Sequence, residues 1–465
     1  MILALFLCFV SLLFVFAAPS TYSYEFCMML HWIFVVTFIY GLYIHRREGY
    51  VNYWFTFSIG YYFVNFVYPV YYYPTNPDFS LFKYHFDHNL ISYCTAVALC
   101  AYTFLLLGLM PRHHIKKNIN KQNHKLINNN VQIKVHEYLI KSLFIIFILV
   151  FALFITTNGL NYFTHQFSGE TNEADIESGY IFSVLQAVTY PLWILVLLYP
   201  IKNKGIFRIP FISLSSFIII ILLTGSRTLP IALIIIAAAV YNDRIKKFRL
   251  TIILTGIVVG AVVMTLAGTL RGSGELISSQ ALANSQNILN EQENYFDFAQ
   301  GLIINNRSLY SLIGFADSNT YTYGLTLIGA TFNVIPFMVT LLSQITGIHT
   351  DFFGSATFNT FLSSGHFRHY GLGTNAVSDI YLAFGIIGVI IIFYFFGRII
   401  CWLRENDRRN IFYCIAYYVV LSGAIYTCRS TIFGNLKPVL WSVFIVWALI
   451  YFSPKYHQLL NRIIK

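Results

Sequence analysis

Apolar segments separated by short polar loops recur along most of this sequence. Twelve of them are long enough to predict membrane helices, at about 2–18, 26–44, 51–73, 90–110, 139–157, 180–200, 210–224, 229–241, 250–268, 379–400, 411–427 and 434–452. One long stretch, residues 269–378, separates the ninth segment from the tenth. The pattern predicts an all-α polytopic integral membrane protein with about twelve transmembrane helices and one large loop.

The large loop contains one apolar stretch, residues 325–346, which is interrupted by Pro336. If this stretch crossed the bilayer, every later segment would invert and the basic loop 404–409 would lie outside, against the positive-inside rule. We therefore predict an interfacial or re-entrant segment at 325–346. The predicted organisation is a transmembrane bundle over 1–268 with a basic cytoplasmic loop at 111–137, a periplasmic loop over 269–378, and helices 10–12 with a cytoplasmic C-terminus over 379–465.

The first apolar segment has two interpretations. Ala17 and Ala18 resemble a signal-peptide cleavage site, but no basic residue precedes the segment. We therefore predict a retained helix and a cytoplasmic N-terminus.

Composition supports the membrane assignment. The chain of 465 residues is 57% hydrophobic and only 11% charged, which excludes an ordinary soluble globular protein. The 18% aromatic content suits many helix ends at the level of the lipid headgroups. The seven cysteines lie in or beside apolar segments without a C-x-x-C pair, which favours small buried hydrophobic residues over disulfides or a metal site.

The basic residues divide unevenly when the chain is threaded alternately through the bilayer. One face receives all but seven of the 30 Lys and Arg residues, so that face is predicted to be cytoplasmic. This asymmetry, rather than nucleic-acid binding, explains the net charge of +11. Five arginines on the other face oppose the orientation rule, and guanidinium binds phosphate through paired hydrogen bonds. The seven outer basic residues are Lys83, Arg227, Arg271, Arg307, Arg368, Arg429 and Lys437.

Arg227 is the clearest anion-binding candidate among these arginines. It lies in Thr-Gly-Ser-Arg at 224–227, between segments that would be only about 22 and 20 Å long as helices. The turn is therefore predicted to lie below the outer membrane surface, where an ionisable residue is a functional candidate. The alternative is an arginine whose side chain reaches the interface and anchors a helix end.

Two further arginines are predicted at the same level. Arg271 follows the ninth segment between Gly268 and Gly272, and Arg429 lies in the last outer turn. Each alone is equally compatible with an interfacial anchor. Three arginines at one depth fit a diphosphate better than any one alone.

A third cluster provides candidates for a general base. His366, Arg368 and His369 precede a glycine-rich run, and Asp379 opens the next segment. A histidine titrates near neutral pH and can accept a proton from a hydroxyl, although a histidine at loop level is more often an ordinary surface residue. No third metal ligand accompanies the two histidines, and no metal site or cofactor is predicted.

At these residues the chain resembles the O-antigen polymerase (Wzy-type) and oligosaccharide repeat-unit polymerase group of bacterial membrane proteins, which is related to O-antigen ligases. The resemblance rests on the turn at 224–227, the arginine at 271 entering a large periplasmic loop, the run Gly-Thr-Asn-x-x-Ser-Asp-x-Tyr-x-x-Phe-Gly-x-x-Gly at 373–388, and the late Arg429. It covers the whole chain architecturally.

The resemblance implies a membrane glycosyltransferase of the bacterial inner membrane that contributes to lipopolysaccharide. Undecaprenyl-diphosphate-linked oligosaccharides would be joined at the periplasmic face, with a chain-length regulator protein as a further partner besides membrane lipid. The kinship with the ligases would assign Arg227 and Arg271 to the lipid diphosphate, and His366 or His369 to the acceptor. We add Arg368 and Arg429 as candidates for binding the diphosphate, and Asp379 as a further candidate for the base. The alternatives are a flippase for the same lipid-linked sugar, an O-antigen ligase and a sugar-modifying membrane acyltransferase.

Overall fold

The computed structural model describes residues 2–75, 86–111, 129–157, 173–198, 208–223, 228–253, 255–257, 260, 299–365 and 371–452, and these residues are helical without a strand. Apart from single turns, the helices are α1 (Ile2–Phe16), α2 (Tyr24–His45), α3 (Tyr53–Asn65), α4 (Ile91–Leu109), α5 (Asn129–Thr156), α6 (Glu173–Leu198), α7 (Arg208–Leu223), α8 (Thr228–Arg244), α9 (Asn306–Ser318), α10 (Leu325–Phe332), α11 (Met338–Thr346), α12 (Ser355–Ser364), α13 (Ala376–Asn406), α14 (Ile411–Ser422) and α15 (Leu436–Tyr451).

Five helical segments are long and apolar enough to cross a membrane: Tyr24–His45, His88–Leu109, Glu137–Thr156, Gly179–Leu198 and Ala376–Asn406. Shorter apolar helices at Ile2–Phe16, Arg208–Leu222, Ile411–Ser422 and Leu436–Tyr451 accompany them. The chain is thus an all-helical polytopic membrane protein, as predicted, while the number of twelve spans stays a prediction. The seven cysteines are all buried and free, which agrees with their predicted role as small apolar residues.

The centre of the bundle is the crossing of α4 and α13. A Cβ atom added to Gly108 would lie 2.2 Å from the Tyr394 carbonyl oxygen, and one added to Gly397 would lie 2.6 Å from the Leu105 carbonyl oxygen. Only glycine permits this approach of two backbones, a common arrangement between membrane helices. Arg398 then donates to the carbonyl oxygen of Met110 at 2.8 Å and satisfies the end of α4.

Three predicted continuous helices are interrupted, and one of them is α13, which has a non-helical backbone at Gly385. The segment predicted at 51–73 is α3 followed by a π-helical turn at Tyr68–Tyr72, with Pro69 at its start. Proline lacks the N–H that a continuous helix would use, so the hydrogen-bond register changes there. The segment predicted at 411–427 breaks at Gly423, where a Cβ atom would lie 2.2 Å from Asn435 Oδ1.

The end of the bundle where α13 finishes, which we call the Arg404 end, has a dense ionic network. Arg404 Nη2 donates to Asp243 Oδ1 at 2.7 Å, and Nη1 lies 3.2 Å from Asp407 Oδ2. Tyr418 donates to the other Asp243 oxygen at 3.1 Å, and Glu48 lies 3.8 Å from Arg404 Nε. The ends of α8 and α13 and the loop after α2 are therefore joined by paired charges, and α14 adds the Tyr418 hydroxyl to them.

The opposite end, where α13 begins, is the Asp379 end. Helices α9 to α12 lie there, with α9 packed on α13 and α12 packed on α9. The predicted apolar stretch 325–346 forms the two short helices α10 and α11, and the turn between them contains Pro336. This layer brings residues distant in sequence to the beginning of α13.

Candidate functional site

The beginning of α13 is tied to two other parts of the bundle. Asn375 caps the helix by accepting a hydrogen bond from the Val377 N–H at 2.8 Å. The same side chain donates to Asn65 Oδ1 of α3 at 2.8 Å, and both asparagines are fully buried. The Ala376 N–H donates to the Cys428 carbonyl at 3.3 Å, which places the turn containing Arg429 directly beside this helix end. We call the region formed by Asn65, the beginning of α13, the loop leading into it and the turn containing Arg429 the polar junction.

Asp379 lies in the first turn of α13 and is completely buried. Its Oδ1 accepts a hydrogen bond of 2.7 Å from Thr326 of α10, and the hydroxyls of Ser355 and Thr431 lie near the same carboxylate. Among the described residues, Oδ2 has no hydrogen-bond partner. The position near a helix N-terminus favours a negative charge. Within the described residues, the carboxylate is therefore held by hydroxyl groups and the helix, and no cation pairs with it.

Arg429 is half-buried in the turn that follows the short helix Ala424–Thr427. Its Nη1 donates to the Gly301 carbonyl oxygen at 3.0 Å, and its guanidinium lies 5.8 Å from the centre of the Tyr426 ring. Burial lowers the pKa of the Arg429 guanidinium, and the electrostatic effect of Tyr426 partly raises this pKa again. Arginine nevertheless stays charged at any relevant pH. Within the described part of the chain no carboxylate pairs with it, so its remaining donors suit an anion.

The loop 371–375, which leads into α13, is held by α9 and α12. Asn359 donates to the Gly373 carbonyl at 3.1 Å, and Thr360 accepts from the Leu372 N–H at 2.8 Å. Arg307, only 8% exposed, donates to the Leu372 carbonyl at 3.4 Å. Gly373 has φ +85°, and a Cβ atom there would lie 2.2 Å from Asn305 Oδ1, so the loop requires glycine at this position.

The polar junction also holds buried polar atoms without partners in the described residues. Both side-chain atoms of Asn306 and the hydroxyl of Thr374 are in this state. Asn306 directly follows Asn305, and Thr374 follows the glycine that contacts Asn305. Because unsatisfied buried polar groups are costly, such atoms are places for ordered water or a polar ligand.

A second polar group lies further along α13. Tyr381 donates to Asp317 of α9 at 2.8 Å, and the Tyr93 hydroxyl lies 2.7 Å from the Tyr381 hydroxyl. Partial burial raises the pKa of Asp317, against the lowering effect of the Tyr381 hydrogen bond. This arrangement holds the α9–α13 contact in place and leaves Asp317 at the surface.

The structure describes only part of the predicted site. Asp379 and Arg429 lie at the same end of the bundle. Asp379 is in the first turn of α13, and the turn containing Arg429 lies beside it. The other candidates lie outside the described residues; they are Arg227, Arg271, His366, Arg368 and His369. Gly365 and Gly371, the described residues on either side of the histidine cluster, end α12 and begin the loop that α12 holds.

The junction contains residues that the sequence pattern did not single out as site candidates. Asn305, Asn306, Asn359 and Thr326 are polar residues in a polar loop, with no motif that distinguishes them. Arg307 could be found from the sequence as one of the five arginines that lie outside the predicted cytoplasmic loops. In the described residues, no group of three His, Cys, Asp or Glu side chains is placed to hold a metal ion.

Together, the helices and the junction define a multi-pass membrane protein with a polar, partly buried site at one end of its bundle. The family model described as O-antigen polysaccharide polymerase Wzy matches residues 1–457, and the chain belongs to this family. The protein is accordingly a membrane glycosyltransferase that polymerises lipid-linked oligosaccharide repeat units. No curated protein and no solved structure matched the chain. The predicted family, reaction and enzyme class are thus confirmed.

Proposed function

We propose that the Asp379 end faces the periplasm and that the chain resides in the bacterial inner membrane, with both termini in the cytoplasm. The distribution of charge supports this orientation. Arg46, Arg47, Lys246 and Lys247 lie at or near the Arg404 end, together with Arg404 itself. Positive residues mark the cytoplasmic side of membrane proteins.

The polar junction then binds the diphosphate of an undecaprenyl-linked chain. Arg429, Arg227, Arg271 and Arg368 are proposed to contact its oxygens. A hydroxyl of the incoming repeat unit attacks the anomeric carbon of the growing chain, and the bond from that carbon to the diphosphate oxygen breaks. The lipid diphosphate leaves with the bonding electrons. Arginines that are already positioned stabilise the negative charge that develops on it.

The proton of the attacking hydroxyl passes to a base, for which the candidates are His366, His369 and Asp379. Complete burial of Asp379 beneath the Thr326 hydroxyl suits a residue that positions the loop and the Arg429 turn. A histidine is the better base because its ordinary pKa, about 6.5, lies near neutral pH. We therefore assign proton transfer to the histidine pair and positioning to Asp379.

The observation that carries this proposal is Arg429, a half-buried cation bonded to a carbonyl oxygen instead of a carboxylate. With purified protein and a lipid-diphosphate oligosaccharide, Arg429→Ala should lower the polymerisation rate by roughly 10²–10³, the loss typical of one preorganised donor. Arg429→Lys should recover little, because lysine keeps the charge but loses the bidentate geometry.

Arg409→Ala is the matched control, since Arg409 is an exposed arginine at the opposite end whose Nη1 contacts Asn406. It should polymerise at the wild-type rate. An Arg429→Ala protein that is as active as this control would remove Arg429 from the site.

A further inference from the structure

An apolar stripe runs along the surface of the hairpin formed by α10, α11 and the turn between them. Leu341 and Ile345 are four residues apart and share one face of α11, and Phe337, four residues before Leu341, immediately precedes this helix. Phe337 is 73% exposed and Ile345 is 72% exposed, and α11 has no buried residue. No charged residue occurs anywhere from 324 to 347. Contiguous exposed apolar surface of this kind marks an interaction site.

Phe337 also has an unfavourable backbone. Its φ of +63° lies in the left-handed region, where a bulky side chain is rare and a glycine would fit without strain. In water, this residue would have both a strained backbone and an exposed phenyl ring. An environment that stabilises the exposed phenyl ring would account for a phenylalanine at this position.

The position of the α10–α11 turn along α15 identifies that environment. Trp441 Nε1 donates to the Val334 carbonyl at 2.8 Å, five residues into the apolar helix α15. At 1.5 Å per residue, the turn thus lies about 7 Å below the start of α15. Lys437, one turn above, has its amine 5.5 Å from the centre of the Trp441 ring. Lysine above tryptophan is the usual order at a membrane interface.

A contact with a second membrane helix places the turn at the same depth. The Phe337 ring lies 6.0 Å from the ring of Tyr180, which is the second residue of the apolar segment Gly179–Leu198. The turn therefore contacts two spans close to their Asp379 ends. Its exposed side chains continue the lipid-facing surface of α15, on which Phe444 is 61% exposed.

We propose that the α10–α11 hairpin inserts the stripe of Phe337, Leu341 and Ile345 among the phospholipid acyl chains of the leaflet at the Asp379 end. This contact is independent of the residues assigned to the diphosphate and to proton transfer. Its role is to anchor α10, whose Thr326 hydroxyl bonds Asp379. Gly329 of α10 also packs directly on the Phe353 backbone, so the anchor extends to the segment that precedes α12.

Spin labels in proteoliposomes test this contact. Phe337→Cys and, separately, Ile345→Cys are labelled with a nitroxide, and collision rates with oxygen and with a water-soluble nickel chelate are measured. Because the seven native cysteines are buried, the wild-type chain is expected to label weakly and provides the background. Phe444→Cys on α15 is the lipid-facing control, and Thr320→Cys, in an exposed polar stretch, is the water-facing control.

We expect oxygen collisions to exceed chelate collisions at residues 337 and 345, as at 444. Chelate collisions that dominate, as at 320, would show a water-exposed hairpin and overturn the proposal. Low rates for both reagents would show a protein partner or a second copy on the stripe and would also overturn it. If Phe337→Cys does not fold, Leu341→Cys reads the same stripe from a position with an ordinary backbone. None of these results depends on polymerase activity, so they are distinguishable from a failure of the proposed catalytic roles.

Discussion

The two ends of the bundle treat buried charge in opposite ways. At the Arg404 end, Arg404 is surrounded by Asp243, Asp407 and Glu48, so each buried charge faces an opposite one. At the Asp379 end, the buried carboxylate bonds a hydroxyl, and Arg429 bonds a backbone carbonyl. Both ends connect several helices, but among the residues that the structure describes, only the Arg404 end pairs its buried charges with opposite ones.

This difference separates a stabilising network from a binding site. A cation already paired with carboxylates offers little to an incoming anion, because the anion would have to replace them. Arg429 gains a charged partner only when one arrives, and in a partly buried setting that interaction is stronger than in water. Under the proposed function, the second arrangement suits a site for the diphosphate of the donor, and the first suits the proposed cytoplasmic ends of the helices.

The largest expected effect concerns the proposed base, the histidine pair His366 and His369. The His366→Ala/His369→Ala double variant should lose roughly 10²–10⁴ in polymerisation rate, since it lacks the proposed base. In the wild type the rate should fall as the pH drops below about 6.5, because protonated histidine cannot accept a proton. The double variant should lose that dependence. Polymer formation at the wild-type rate would exclude histidine and make Asp379 the next base to test.

At the other end, the expected effect is on stability. Arg404→Ala removes the cation shared by the buried Asp243 and Asp407, of which Asp407 keeps Arg244 at 3.5 Å, and breaking such a network costs about 3–5 kcal/mol. Thermal unfolding in detergent should therefore shift strongly for Arg404→Ala. Arg429→Ala, which removes one hydrogen bond to a carbonyl, should cost only about 1.5–3 kcal/mol. Equal stability losses at the two ends would contradict the contrast between them.

The smallest effect isolates the support of Asp379. Thr326→Val keeps the shape of the side chain but removes the hydroxyl that donates to the buried carboxylate. The expected loss in unfolding free energy is about 1–3 kcal/mol. Thr331→Val is the control on the same helix, because its hydroxyl bonds only the Leu327 carbonyl of its own helix. A Thr326→Val protein as stable as the control would mean that the contact with Asp379 has no structural role.

The sequence predicted the helices well where length and hydropathy decide. The segments at 90–110 and 434–452, for example, correspond within two residues to α4 and α15. It did not predict the break in α13 at Gly385, because a single glycine in an apolar run does not show what faces it. In the structure, Gly385 has φ +64°, and a Cβ atom there would lie 2.8 Å from the Tyr321 hydroxyl.

The site was predictable only in part, for the same reason. An arginine that opposes the orientation rule is visible in the sequence, and this identified Arg429. Which groups surround a charge depends on pairings across the fold, such as Thr326 with Asp379 or Asn65 with Asn375, which are 310 positions apart. Amino-acid spacing contains no signal for such contacts. All of the site assignments stay predictions, including those of Arg429 and Asp379.

The interruption at Gly385 also divides α13 into a short part before the glycine and a long part after it. Where the helix is broken, the Leu382 carbonyl accepts instead from the Thr322 N–H at 2.8 Å, so this carbonyl has a partner without the helix. The uninterrupted remainder, residues 386–406, is about 31 Å long, close to the roughly 30 Å hydrocarbon thickness of a bilayer. The nine residues before the glycine are then surplus to the crossing. They carry Asp379 to the layer formed by α9 to α12, where its carboxylate accepts the hydrogen bond from Thr326 of α10.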